Sequence, residues 1–288
     1  MDKIISPIKN ELDIFENNLK EVILKEDNFL VSDLEIFLFT KPKRLRPILI
    51  YLFAKILKVE SAYVQDIALI TELIHNASLI HDDIIDEEKQ RRNNPTFYEK
   101  YGSKLAVLEG DLLLSLALEY LSKTTLEISK IFASKIKKTI LGEINQNENL
   151  DKLIDIETYL NKTYAKTANL FMAGLEALFS LCKPNKDLIN FLNNYTLAFQ
   201  IKNDIDNFKN NATDFKNGNY TLPVIYFSKE NNSTDFKEKK VEFQKCIEKS
   251  IDKVEELKQK AIASLNSIED SQYKNALIKI TDYTLSRS

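Results

Sequence analysis

From Ile48 to Asn94 the chain carries neither a glycine nor a proline, and its apolar residues recur at helical spacing, as in Leu73, Ala77, Ile80 and Ile84. A run that long without a backbone breaker reads as one or two helices, divided near Glu60-Ser61. The whole chain of 288 residues holds only five glycines and six prolines, too few for the many tight turns of a sandwich or barrel. The expected fold is therefore all-α. Pro47 suits the first turn of a helix, which makes Lys41 to Arg46 the loop leading into it. Further helices are expected over Lys104 to Leu121, Leu126 to Leu141, Ile154 to Leu181, Lys186 to Phe208, and Lys237 to the C-terminus. Polar breaks fall at Lys209 to Asn219 and at Lys229 to Thr234. Neither resembles an interdomain linker, so a single domain spanning residues 1–288 is expected.

Several classes of function are excluded early. The 40 basic and 43 acidic residues give a net charge of -3 and are mixed along the chain, which argues against a nucleic-acid binder. Cys182 and Cys246 are too few and too distant for a zinc site or a disulfide framework, and His75 and His81 lack metalloprotease spacing. The N-terminus lacks the apolar run of a signal peptide, and no stretch of 18 apolar residues occurs, so a cytoplasmic protein without a membrane span is expected.

Chemistry concentrates in Leu79-Ile80-His81-Asp82-Asp83-Ile84-Ile85-Asp86, where three aspartates interrupt an apolar helical segment. Asp82 and Asp86 are separated by about 400° on a helix and so share one face, with His75 about 20° from Asp82. Crowded carboxylates repel one another unless a cation joins them. Magnesium suits them, because it takes oxygen ligands and is commonly shared between one or two carboxylates and substrate phosphates. The same residues would also serve as a solvated acidic turn at a helix end. Two basic clusters flank the stripe in sequence, Lys43-Arg44 with Arg46 upstream and Arg91-Arg92 downstream. Such side chains are usual partners of phosphate oxygens.

With those residues in view, the chain resembles the trans-isoprenyl diphosphate synthases over essentially its full length. Lys43-Arg44-Leu45-Arg46-Pro47 is similar to the family's GKRLRP box, Asp82-Asp83-Ile84-Ile85-Asp86 to its first DDxxD, and Arg91-Arg92-Asn93-Asn94-Pro95-Thr96 to its RRGxPT. Gly110-Asp111, Gly142-Glu143 with Gln146, Lys166-Thr167-Ala168-Asn169-Leu170, Phe199-Gln200 and Thr221-Leu222-Pro223 follow in the family's order. The resemblance implies one large helical bundle of the isoprenoid synthase type, with a central cavity faced by both aspartate-bearing helices, and a homodimer. It implies that Lys43, Arg46, His75 and Arg92 hold isopentenyl diphosphate. Asp82 and Asp86 would carry Mg2+ on an allylic prenyl diphosphate, assisted by Arg91, while Lys166, Thr167 and Gln200 face that diphosphate and the developing cation. The implied reaction joins the two substrates, releases diphosphate, and repeats.

The second aspartate-rich motif departs from the pattern. Where the resemblance calls for DDxxD, the chain reads Asn203-Asp204-Ile205-Asp206-Asn207, so Asp204 is the one aspartate left at its family position, with Asp206 a partial substitute. Asn219 stands where the family has a lysine; Lys209 and Lys216 lie nearby, and Lys209 is the substrate-binding candidate. These losses leave room for a class I terpene cyclase or a non-catalytic synthase subunit. The intact isopentenyl set argues against the first, and the intact first DDxxD against the second. Ser78, one turn and about 6 Å before Asp82, and its neighbour Ala77 are small. In this family an aromatic residue at either place shortens the product, so a long-chain polyprenyl diphosphate is expected, with a short-chain synthase as the alternative. His81 reads as a hydrogen-bond partner as readily as a ligand. Phe171, Phe179 and Phe191 read as core, and residues 237–260 as an amphipathic outer helix.

Overall fold

The computed structural model describes residues 1–148, 150–210, 212–235 and 239–286, with the backbone alone for Asp2, Gln146, Asn147 and Lys166. Helices α1 (Asp2–Ile5), α2 (Lys9–Leu24), α3 (Val31–Phe39), α4 (Leu45–Ile56), α5 (Tyr63–Ile85), α6 (Phe97–Ser122) and α7 (Leu126–Glu148) make up the first half of the chain. Then come α8 (Ile156–Thr163), α9 (Asn169–Phe179), α10 (Lys186–Asn210), α11 (Thr213–Lys216), α12 (Leu222–Asn231), α13 (Lys240–Ser264) and α14 (Gln272–Leu285). The only strands among the described residues are β1 (Gln90–Arg91) and β2 (Asn94–Pro95), which pair antiparallel. The fold is all-α, as expected. No helix of the described residues is long and apolar enough to cross a membrane.

The chain divides into two compact units, one of residues 2–131 and 174–183, the other of Met1, 132–173 and 184–288. Two of the boundaries fall inside helices, within α7 and α9.

In the first unit α4 is buried nearly all round, from Leu45 through Ala54 with Arg46 the exception, which is why its sequence shows no polar face. Pro47 sits in its first turn, and the preceding loop is two residues shorter than expected because Leu45 and Arg46 are already helical. Next, α5 turns Ile67, Ile70, Leu73, Ala77 and Ile80 into the core, each large one stabilising the fold by about 1.5–3 kcal/mol relative to exposure. It packs along α6, and at Gly110 of that helix an added Cβ would stand 2.2 Å from His81 Nε2. The glycine is therefore a packing requirement beside Asp82. The start of α6, before the expected Lys104, is set by Thr96, whose side chain accepts from Glu99 N at 3.1 Å, an N-cap with Glu three residues on. Gly102, at φ 75°, then kinks the helix.

Aromatic rings build the core of the second unit. Phe191 and Tyr195 of α10 stack at 5.7 Å, and Phe171 meets Tyr195 edge-on at 6.4 Å; Phe171 and Phe191 are core as expected, while Phe179, in the first unit, is half-buried. Against α10 lies α13, amphipathic as its charge-rich sequence implied, burying Phe243, Val254, Leu257 and Ala261. The segment read as one helix to the C-terminus is broken between Leu265 and Ser271, and Lys237 lies outside the described residues.

Candidate functional site

The first candidate constellation lies wholly in the first unit. Asp86 caps α5, and its N–H donates to Asp82 O at 2.8 Å, so the two carboxylates stand one turn apart on one face. Asp82 is half-buried and Asp86 exposed. The aspartate between them plays a different part. Asp83 is buried and accepts Arg91 Nε at 2.9 Å and Nη2 at 2.5 Å. Burial raises the Asp83 pKa against the pull of that guanidinium. Asp83 thus ties the DDxxD turn to the basic segment behind it, and two of Arg91's nitrogens are engaged there, not aimed at a substrate.

Arg91-Arg92-Asn93-Asn94 is a two-residue hairpin in which Arg92 (φ 52°) and Asn93 (φ 67°) are both left-handed. Hairpin turns of this kind normally place Asn-Gly at those positions, and an arginine held there is strained in a way usually seen at functional sites. Its guanidinium lies 3.4 Å from the Phe37 and Thr40 carbonyl oxygens. Beside it a cleft of about 210 Å³ opens, lined by Asp33, Phe37, Arg91, Arg92, Lys100 and Tyr101 among others.

His75 joins this group. Burial, followed by the charges of Arg46, Arg92, Arg91 and Arg44, holds its imidazole well below the ordinary 6.5, so at neutral pH it is an uncharged hydrogen-bonding group in a strongly basic setting. The positive charges of Arg46 and Arg92 thus both act on His75. Lys43 is exposed on the loop before α4. Arg44, also left-handed at φ 49°, is turned inward: it forks onto Glu16 at 2.7 and 3.0 Å and reaches Glu72 at 2.8 Å. Nothing in the sequence pattern marked Glu16 or Glu72 as partners, because both sit 28 residues from Arg44. His81 faces α6, with Nε2 3.4 Å from Val107 O and 3.5 Å from Asp111.

The second constellation lies wholly in the second unit. Residues 164–168 form a π-helical turn, a deformation common at functional sites, and it carries Lys166 and Thr167; the Lys166 side chain is outside the described residues. Thr167 donates to Gln200 Oε1 at 2.7 Å, Gln200 Nε2 donates to Asp204 Oδ1 at 2.7 Å, and Tyr159 OH donates to Asp204 Oδ2 at 2.5 Å. Asp204 is only 8% exposed, and each of its oxygens accepts from a neutral donor. Burial, and then the Asp204 charge, holds the Tyr159 phenol well above 10. Thr167, Gln200 and Asp204 thus meet in one hydrogen-bonded network, which Tyr159, a residue the sequence reading did not name, joins.

Asp206 pairs with Lys202 at 2.7 Å. Both line a crevice with Lys209, Val254 and Glu255, and Lys209 lies about 140° round α10 from Asp204. The structure does not bring Asp206 or Lys209 to the Asp204 face. Asn207 Oδ1 accepts from Asp214 N at 3.2 Å, so this amide caps the α11 turn.

The donor set suits magnesium at Asp82 and Asp86: two hard oxygen ligands on one face, with the intervening Asp83 neutralised by Arg91. Among the described residues no group of three or more His, Cys, Asp or Glu side chains forms a metal cage. A two-carboxylate site fits an ion that completes its coordination with water and substrate phosphate.

Residues 30–265 match the family model described as "Polyprenyl synthetase". The chain belongs to that family. A prenyl transferase of Cyanophora paradoxa is 35% identical to this family member, over 99% of this chain and 98% of the relative. Solanesyl diphosphate synthase 1 of Arabidopsis thaliana, a chloroplastic protein, is also 35% identical, over 75% of this chain and 58% of the relative. Heptaprenyl diphosphate synthase of Staphylococcus aureus superposes with a TM-score of 0.84 at 26% identity, covering 97% of this chain and 98% of that one. As a polyprenyl synthetase family member the chain is an enzyme, and its fold is that of the isoprenoid synthases.

Proposed function

We propose that the chain condenses an allylic prenyl diphosphate with isopentenyl diphosphate, releasing diphosphate, and repeats the step to a long-chain polyprenyl diphosphate. The observation that carries this reading is the Asp82 and Asp86 stripe at the end of α5, tied by the Asp83–Arg91 ion pair to the left-handed Arg92 hairpin, with His75 two turns back on the same helix. A diphosphate-binding pocket and a carboxylate pair on one helix suit a reaction between two diphosphates. Arg46, His75 and Arg92, with Lys43 from the loop, hold isopentenyl diphosphate; guanidinium forks fit its oxygens and the imidazole donates a hydrogen bond. Mg2+ at Asp82 and Asp86, when bound, supplies charge neutralisation on the allylic leaving group. In the second unit, Lys166, Thr167, Gln200 and Asp204 are the residues that the family resemblance assigns to the same diphosphate.

The C–O bond of the allylic diphosphate breaks and its electron pair leaves with diphosphate. The double bond of isopentenyl diphosphate then attacks the allylic carbon, and the proton lost goes to the released diphosphate. Fixed cations placed where charge develops are the chain's main contribution. The proposal includes Mg2+ dependence, one functional domain, a cytoplasmic location and a homodimer. The single domain is supported by two unit boundaries that fall inside helices, and the dimer by Leu108 and Leu118 of α6, 62% and 61% exposed.

The test is turnover by the purified single chain with isopentenyl and farnesyl diphosphates. Products longer than the primer are expected with magnesium and not without it. A chain that releases diphosphate from farnesyl diphosphate alone is a cyclase, and an inert chain is a partner subunit. Ala77 is fully buried and Ser78 half-buried, its hydroxyl bonded to His75 O at 2.7 Å; in this reading their small side chains leave the tail its path along α5. Ser78→Phe is expected to shorten the products while sparing the first condensation; unchanged product length in that variant contradicts the path.

A further inference from the structure

The segment Lys43-Arg44-Leu45-Arg46 carries three cations, and the outer two, Lys43 and Arg46, are those proposed above to hold isopentenyl diphosphate. Arg44, between them, is only 7% exposed. Its guanidinium forks onto both carboxylate oxygens of Glu16 on α2, at 2.7 and 3.0 Å, and donates from Nη1 to Glu72 Oε1 on α5 at 2.8 Å. The rings of Phe15 and Phe39 lie 5.8 and 5.3 Å from it. Buried and held on two carboxylates, Arg44 is committed to the protein interior.

The backbone shows what that commitment does. The loop that presents Lys43 turns through two left-handed residues, Lys41 at φ 46° and Arg44 at φ 49°. Residues other than glycine are disfavoured in that region, and such a turn persists only where its surroundings hold it. Three charge-assisted hydrogen bonds hold this one. They fix the backbone of residue 44, and with it the directions in which Lys43 leaves the loop and Arg46 leaves the first turn of α4. Glu72 extends the same hold to α5, where it is buried one turn, about 4.5 Å, before His75. The metal face is tied separately: Asp82 and Asp86 are joined to the hairpin through Asp83 and Arg91, and Arg44 takes no part in that tie.

We propose that Arg44 is a positioning residue for the isopentenyl diphosphate site: through Glu16 and Glu72 it sets Lys43, Arg46 and His75 without touching the substrate. This rests on the prenyltransferase reading above. The alternative role is plain packing of α4 against α2 and α5.

Arg44→Lys separates the two, because lysine keeps the charge and lacks the planar fork that meets two carboxylates at once. The experiment measures, on the full-length protein, the affinities for isopentenyl diphosphate alone and for farnesyl diphosphate with magnesium by calorimetry, then KM for each, kcat and Tm. Isopentenyl diphosphate binding is expected to weaken about tenfold, as when one charge-assisted hydrogen bond is misplaced, and its KM rises in parallel. Farnesyl diphosphate affinity and kcat at saturation hold. A packing role lowers Tm without that split between the substrates. If Arg44→Lys does not fold, Glu16→Ala opens the fork at its partly exposed end and is expected to give the same split at smaller size. Isopentenyl diphosphate affinity and KM unchanged in a folded variant, or both substrates weakened alike, overturn the assignment. A wild-type chain that neither binds isopentenyl diphosphate nor joins it to farnesyl diphosphate overturns the underlying reading, and this assignment with it.

Discussion

The two aspartate-rich regions answer the same chemical demand in opposite ways. Around Asp82 the carboxylates lie at a helix end, Asp86 is exposed, and the one buried aspartate, Asp83, is neutralised by Arg91. Around Asp204 the carboxylate lies inside a helix, 8% exposed, and accepts from Tyr159 and Gln200 among its partners. A carboxylate at a wet helix end can take a hydrated ion directly, since few hydrogen bonds must be given up. One already satisfied in a buried network binds a cation only by giving up a bond, at a cost set by desolvation. On the function proposed above, the first region would load metal readily and the second would act mainly through its preset geometry.

Asp82→Ala probes the contrast most strongly. Turnover is expected to fall at least ~100-fold, as when one preorganised electrostatic group is deleted, while Tm barely moves because the side chain is half-buried and beside solvent. Asp204→Ala should also be severe, but with a clear loss of Tm, since it removes the buried carboxylate that accepts from Tyr159 OH and Gln200 Nε2. Equal stability losses in the two variants, measured by thermal melts, would erase the distinction. Tyr159→Phe tests the network itself: about 1 kcal/mol of stability is expected to go with the hydrogen bond, along with a reduction in kcat smaller than that of Asp204→Ala. Full activity and stability in Tyr159→Phe would mean the network is incidental.

A third buried carboxyl sharpens the point by having no such partner. Glu109 of α6 is 3% exposed, and its Oε1 has no hydrogen-bond partner among the described residues. Burial, and then the Asp33 charge, raises its pKa from 4.5 to about 7. The folded state then holds a proton that the unfolded chain has released, so the stability is whole below pH 4.5, falls as pH rises toward 7, and stays reduced above it. Glu109→Gln is expected to raise Tm at pH 8 and leave it nearly unchanged at pH 4.5. The same shift at both values would show that ionisation is not the cause.

The smallest effect is expected from Asn203→Asp, which adds a carboxylate to the second region. Activity should hold or rise modestly, with half-maximal rate at lower magnesium. Loss of activity in this variant would show that the amide is required and that the region is not a weakened metal site.

The helical class, the long α5 and the shared face of Asp82 and Asp86 were all legible in the sequence. These depend on local rules: few breakers, 3.6-residue periodicity, and a motif order that carries its own spacing. The start of α6 was readable too, in the capping pattern Thr96-Phe97-Tyr98-Glu99, although periodicity alone pointed to Lys104. What could not be read were the assignments of charge. Arg44 looked like its neighbours Lys43 and Arg46, yet it points into the core because Glu16 and Glu72, distant in sequence, meet it there. Lys209 looked like the spare cation near Asn219, and Lys162 is the one that reaches it. A charged side chain is long, and local sequence leaves its direction nearly free. Where it ends up is decided by which opposite charge or hydrogen-bond partner the packed helices bring within about 3 Å, and that is a property of the tertiary structure alone.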